Sequence, residues 1–339
     1  MTTAAPQGSF LVTSVGAYAD SGIGTGGFVC VHEGKAVTID KIDSTGLCVD
    51  GEIVYRFARG LKSIVGYDRE GICYQLRTED GLDVHDILLY DGKFLCVATG
   101  TNEVIWLDPL GNVVRRWQAD GKDDAWHLNC VWKEGERLYF SAFGRFASHR
   151  EWVGKCRGLG FIFDLESGKD VVTGLSGPHN PRRIDGQWVV CDSHASSLEL
   201  RDPDGTPKTI QLGGFTRGLA YDDHYFYVGE SANRKAEKPA ETSAVAIVDR
   251  KTHEVVDRIT IPFPEIYEVV MISPDFAQRI VSDLPRFQIN AAAERIRLLE
   301  EQVELGVREA AVWRQRVENL RVPEAIWSRM VNVKRRLVG

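Results

Sequence analysis

A unit of about forty residues recurs along this chain, and it restricts the possible folds more than any other feature. Each unit holds a short polar entry, an apolar strand, a two-residue acidic turn and a second strand. A loop then leads to a third strand, another turn and a fourth strand. The first turn is Asp50-Gly51, Asp91-Gly92, Glu134-Gly135, Asp185-Gly186 and Asp222-Asp223, at intervals of 37 to 51 residues. Asp-Gly between alternating apolar runs marks a tight hairpin, because glycine takes the positive φ that a primed turn demands. The second turn is YDREG (67–71), LDPLG (107–111), FDLESG (163–168), RDPDG (201–205) and VDRKTH (248–253). Two alternating turn markers give four strands per unit, which is the pattern of propeller blades.

The pieces left over fit the same plan. FLVTSV (10–15) and GGFVCVHEGKAVTIDK (26–41) supply the second, third and fourth strands of a further blade, whose inner strand is missing. EIYEVVMIS (265–273) is an orphan strand that can complete it. The expectation is an all-β, six-bladed β-propeller over residues 1–273, closed by the C-terminal strand so that no open edge remains.

Seven cysteines, without a CxxC pair, read as reduced, small core hydrophobes rather than as disulfides or a zinc cluster. The formal charge of −7 leaves no basic footprint, so no nucleic-acid partner is expected. Apolar stretches fall far short of the ~20 residues that a membrane span needs, and MTTAAPQGSF lacks the regions of a secretory signal. These features point to a cytoplasmic protein with no membrane partner.

In a propeller the inner strand of each blade lines the channel, and its entry end shares one face with the exit of the second strand. The entry positions are Tyr267 and Glu268, Thr45, His85 and Asp86, His127 and Asn129, His179 and Asn180, and Thr216 and Arg217. Second-strand exits add Thr99, Ser141, Asp192, Ser193, His194 and Glu230. Polar residues converging on one mouth suit a small-molecule or metal site. His85, His127 and His179 open three consecutive inner strands, so their imidazoles are candidate ligands for a divalent metal (Zn, Fe or Mn). The rival reading is that they hydrogen-bond trapped water and backbone. His194 beside Asp192 is a candidate acid/base pair. Glu268 and Arg217 are candidate catalytic groups, pairing with each other or binding charge. Asn129, Asn180, Ser141, Glu230, Tyr267 and, from the long loop 143–158, Arg145 are candidate substrate contacts. GIGTGG (22–27) lacks the lysine and helix of a phosphate cradle and reads as a connector.

From Pro274 the periodicity becomes helical, which predicts an α-helical extension over 274–339. Ala292, Ile296, Leu299, Val303, Gly306, Ala310, Trp313, Val317 and Leu320 alternate at spacings of four and three, the seam of a coiled coil over 292–320. Self-association, a partner helix and a cap on the propeller are all open to such a seam.

The segments HDILLYDGKFLCVATGTNEVIWLD (85–108), HLNCVW (127–132), SAFG (141–144), GPHNPR (177–182), CDSHASSLELRD (191–202) and FTRGLAYDDHYFYVGES (215–231) carry a resemblance to an uncharacterised bacterial family of conserved hypothetical proteins. Some of its members are fused to tetratricopeptide repeats. The resemblance implies no catalytic residue. More distantly, the architecture is similar to six-bladed lactonases, strictosidine-synthase-like proteins and the amidating lyase that holds zinc through histidines, an analogy of fold alone. The functional expectation is a metal-dependent lyase, hydrolase or isomerase acting on a small polar metabolite at the channel mouth, without an organic cofactor. Its rival is a non-catalytic ligand- or protein-binding propeller, an accessory subunit of a biosynthetic enzyme among the options, that assembles through 292–320 as a homo-oligomer or with a helical partner.

Overall fold

The computed structural model describes residues 8–16, 23–79, 81–232, 241–289, 303 and 306–315. Its strands fall in six sheets of four. The first sheet contains β1 (Phe10–Val15), β2 (Ile23–His32) and β3 (Lys35–Ile42). Blade two runs through β4 (Ser44–Asp50), β5 (Ile53–Ala58), β6 (Ser63–Asp68) and β7 (Gly71–Arg77). Blade three is β8 (Val84–Tyr90), β9 (Lys93–Ala98), β10 (Glu103–Leu107) and β11 (Val113–Gln118). Blade four is β12 (Leu128–Glu134), β13 (Arg137–Ala142), β14 (Gly160–Asp164) and β15 (Asp170–Leu175). Blade five is β16 (Pro178–Ile184), β17 (Gln187–Asp192), β18 (Ser197–Arg201) and β19 (Pro207–Gln211). Blade six is β20 (Phe215–Tyr221), β21 (Tyr225–Ser231), β22 (Ser243–Asp249) and β23 (Val255–Ile261). The last strand, β24 (Glu265–Met271), pairs antiparallel with β1 and supplies the inner strand of the first sheet. Successive inner strands β24, β4, β8, β12, β16 and β20 touch in turn, and β20 returns to β24. The ring is closed.

The hairpin chemistry follows the sequence. Asp91 and Gly92 have φ of 50° and 66°, and Asp185 and Gly186 have φ of 50° and 79°. Both residues of each pair are left-handed, as a type I′ turn requires. Between blades the faces are apolar. Blades three and four share Leu95, Val97, Trp106, Leu128, Phe140 and Phe163, all buried. Blades six and one share Tyr227, Val245, Ile261, Phe10, Val29 and Ile266. Each such side chain contributes about 1.5–3 kcal/mol by leaving water. Blades one and two are joined differently. The fully buried Arg56 pairs with Asp40 and stacks on Phe28, 4.4 Å from the ring centroid.

Among the described residues no disulfide forms, and six of the seven cysteines are buried as expected. Cys73 differs: it sits exposed on the outermost strand β7. Helical structure begins at Pro274, as the periodicity predicts. The compact propeller unit extends through Gln288, and a second unit begins at Ile289. The reason is α1 (Pro274–Ser282), capped by Ser273, whose Oγ accepts the Phe276 N–H at 3.2 Å. Phe276, Ala277 and Ile280 are buried on its inner face, and α1 packs on β2. It completes the propeller rather than starting the tail. Most of the heptad segment 292–320 lies outside the described residues. Residues 303 and 306–315 are helical, with Val303 66% and Trp313 64% exposed. Among the described residues no helix is long and apolar enough to cross a membrane.

Candidate functional site at the channel mouth

One irregularity recurs in all six blades and creates the site. Near its entry end, each inner strand shifts register against its neighbour, between Ser44 and Leu47, Val84 and Asp86, Leu128 and Val131, His179 and Arg182, Thr216 and Leu219, and across Thr13/Ser14 opposite β24. The residues released from pairing include Thr45, His85, Asn129, Asn180, Arg217 and Tyr267. A bulge bends the strand and re-aims the freed side chain, here towards the shared axis. His127, just before β12, and Asn180 take φ of 52° and 49°, a left-handed backbone that L-residues adopt rarely and that clusters at functional positions.

Many polar residues at this end fasten the ring. Thr45 Oγ1 donates to Val84 O of the next blade at 2.7 Å, and Thr99 Oγ1 donates likewise to Leu128 O. Ser193 Oγ donates to Thr216 O at 2.5 Å, and Asn129 Nδ2 to Pro178 O at 3.4 Å. Ser141 Oγ accepts from Cys130 N. A deeper layer is ionic. Glu268, 2% exposed, accepts from Asn180 Nδ2 at 2.7 Å, Arg182 at 3.0 Å, Leu219 N at 3.3 Å and Val269 N at 3.0 Å. Asp86 Oδ2 accepts from Val131 N at 2.9 Å. Burial, and then Glu268, push the Asp86 carboxyl up to about 8.

Above this layer the imidazoles gather. Asp124 accepts from His127 Nδ1–H at 2.7 Å, and the His127 ring packs against both Phe143 and Trp152, 4.3 and 4.1 Å between centroids. His85 lies edge-on to His127 at 5.3 Å and to Tyr267 at 5.6 Å. Arg217 stacks on Tyr267 at 3.3 Å, pairs with Glu265 at 3.1 Å and donates to His85 Nδ1 at 3.4 Å. His85 Nε2 therefore carries the proton and faces Asp83 at 3.5 Å. Ser193 spends its own proton on Thr216 O, so it accepts from His179 Nδ1–H at 2.7 Å. Burial lowers His127 to about 4 against the pull of Asp124. It holds His179 well below the usual imidazole range, with Arg217 acting in the same direction. Both rings are neutral at pH 7, each with a bare Nε2.

Several assignments change. Glu268 pairs with Arg182, and Arg217 with Glu265, not with each other. Glu268 is saturated by four donors from its surroundings. Arg145 reaches the outermost strand, where Asp170 accepts from it at 2.9 and 2.7 Å and Phe161 lies under it at 4.0 Å. Glu230 likewise turns outward to Arg258, at 2.8 Å, and to Gly213 N. Asp192 accepts from Ser176 N at 2.6 Å, and burial raises it to about 6. His194 sits at the rim between Phe143 and Phe215, at 5.6 and 5.3 Å, over Gly177.

The three histidines share the mouth but do not form a metal set. Among the described residues, no group of three or more His, Cys, Asp or Glu side chains could hold an ion. The reason is local: Arg217 occupies His85 Nδ1, and its fixed positive charge opposes a cation there. Sequence reasoning missed Asp83, Asp124, Arg182 and the aromatic wall of Phe143, Trp152 and Phe215. Asp83 in DVH and Asp124 in DAWH, two and three residues before a histidine, were the available signal. A separate cleft of about 400 Å³ on the opposite face is lined by Asp185, His224, Arg250 and His253, far from this chemistry.

Residues 53–280 match a family described as a domain of unknown function, DUF4915. The chain belongs to this family. The match takes in the bulges of five blades and the strand that closes the ring. No curated protein sequence matches. Among solved structures, a chain of a nidogen/laminin complex is 13% identical with a TM-score of 0.54, covering 79% of this chain and 99% of that one. A regucalcin from Agrobacterium tumefaciens strain C58, described as a calcium-binding protein, is 14% identical with a TM-score of 0.49, covering 69% and 79%. A streptogramin B lyase is 11% identical with a TM-score of 0.44, covering 76% and 74%. At such identities the likeness concerns the fold alone.

Proposed function

We propose that this DUF4915 protein is an enzyme acting on a small polar metabolite at the channel mouth, with His127 as proton acceptor and Asp124 as the group that orients it. The observation that carries this reading is the Asp124–His127 contact of 2.7 Å on a ring that keeps partial solvent access. Asp124 fixes the proton on Nδ1 and leaves the Nε2 lone pair for substrate or water, and its charge stabilises the imidazolium once the proton has moved. Arg217 Nε lacks a partner and supplies a donor for developing negative charge. Proton removal from carbon begins an elimination or isomerisation, and removal from water begins a hydrolysis. These are the lyase, isomerase and hydrolase classes. The Zn, Fe or Mn ion of the sequence expectation has no step here, because the donor set does not fit it.

The test is turnover followed by mass spectrometry on a metabolite library, using the wild type and His127→Gln. Products that form with the wild type and fall at least 100-fold with the variant support the reading. Undiminished turnover by His127→Gln overturns it. A second reading, a binding propeller assembled through 292–320, is favoured by the exposure of the seam residues Val303 and Trp313. A solution mass unchanged between wild type and Trp313→Glu would remove it.

A further inference from the structure

Two buried acceptors at the mouth have nothing to accept from. His179 is 1% exposed and Asn129 0%, yet His179 Nε2 and Asn129 Oδ1 have no hydrogen-bond partner. A buried acceptor left bare costs about 1–3 kcal/mol, so this pair asks for a donor. The rest of each side chain is fixed. Asn129 Nδ2 donates to His127 O at 2.8 Å and to Pro178 O, next to His179. His179 Nδ1–H is held by Ser193 Oγ and Gly177 O, at 2.7 and 3.2 Å. His127 adds a third lone pair, and its ring and that of His179 flank Phe143 at 4.3 and 5.4 Å.

The neighbours decide which donor fits. An ammonium group or a metal ion meets the Arg217 guanidinium, which already reaches His85 at 3.4 Å. A carboxylate or phosphate offers only acceptors to three lone pairs, and Glu265 already neutralises Arg217 at 3.1 Å. A neutral hydroxyl satisfies the lone pairs without a charge penalty. Around them, Phe143, Trp152, Phe215 and Tyr267 present ring faces and edges. Such a wall suits the C–H face of a cyclic polyol.

We infer that the mouth binds a neutral polyhydroxylated ligand, a sugar or cyclic polyol, whose hydroxyls donate to His179 Nε2, Asn129 Oδ1 and His127 Nε2. This deepens the function proposed above and rests on it for location. Glucose and myo-inositol, glucosamine and gluconate serve as probes for the full-length protein, read by thermal shift and calorimetry. The neutral pair raises the melting temperature, and His179→Asn weakens its binding at least tenfold. Nitrogen-15 NMR of wild-type histidines shows the His179 Nε2 resonance moving on addition of the neutral probe, a readout that needs no variant. Binding of glucosamine or gluconate in preference, or of no probe, overturns the class, and so does neutral binding that leaves the His179 resonance unmoved. Neutral binding without turnover, weakened by His179→Asn, would sink the catalytic reading and leave the ligand class standing.

Discussion

Replacing Glu268 with glutamine separates a structural carboxylate from a catalytic one. Glu268 lies on β24, the strand that closes the ring. One of its oxygens accepts from Asn180 and Arg182 on blade five, the other from the backbone N–H groups of Leu219 on blade six and of Val269. A glutamine must turn its NH₂ towards one of these two pairs. Whichever way it turns, two donors face a donor, and Arg182 loses its counter-charge. Two buried donors without acceptors cost about 1–3 kcal/mol each, and breaking a buried ion pair by removing one partner costs about 3–5 kcal/mol. The two figures describe one lesion, so the expected loss is about 4 kcal/mol. Urea denaturation followed by tryptophan fluorescence measures it as a lower midpoint. Leucine at 268 with methionine at 182 removes both charges but leaves the Asn180, Leu219 and Val269 donors bare, so it recovers only the ion-pair share of the loss. A loss below about 1 kcal/mol for Glu268→Gln, with turnover abolished, would refute the structural reading and return Glu268 to the substrate.

Acid sensitivity follows from His127. Its folded value near 4 lies below the unfolded imidazole, so stability is complete above about pH 6.5 and is lost as pH falls towards 4, by roughly 3 kcal/mol. Urea midpoints across that window should slope down for the wild type and less steeply for His127→Gln; parallel slopes would contradict the assignment. Gly177 has φ of 72°, and a Cβ there would lie 2.6 Å from His194 Cδ2. Gly177→Ala should therefore lower stability by about 1–2 kcal/mol in thermal melts and displace the His194 ring.

What the sequence made legible was what local chemistry determines. Asp91-Gly92 and Asp185-Gly186 announce their hairpins because glycine and aspartate are suited to that backbone. Once the turns are counted, the missing inner strand of the first blade and the surplus strand at 265–271 have one simple solution. The partners of the charged groups were not legible in the same way. Arg217 faces Glu265 and Glu268 faces Arg182, whereas position along the strands suggested pairing Arg217 with Glu268. The three-residue difference between Glu265 and Glu268 spans the bulge at Tyr267, and nothing in period-two alternation marks a bulge. Arg145 and Glu230 were candidate substrate contacts, and their ion pairs with Asp170 and Arg258 were hidden for a related reason. Each leaves its strand end sideways, towards the partner on its own blade's outermost strand.

Sorting the mouth by how far its hydrogen-bonding capacity is already used gives a criterion that residue type alone does not. Thr45, Thr99, Ser141 and Ser193 are polar residues at the mouth, yet each is engaged in fastening strands. Glu268 is charged and central, and it is saturated. His179 Nε2 and Asn129 Oδ1 are acceptors left bare in a protein that satisfies most of its buried polar groups. The other polar atom of each side chain is bonded to the ring, Asn129 Nδ2 to His127 O and His179 Nδ1 to Ser193 Oγ, so the bare acceptor is the part of each residue that the fold does not use. Their position beside the partly exposed His127 is the physical argument for the ligand site proposed above.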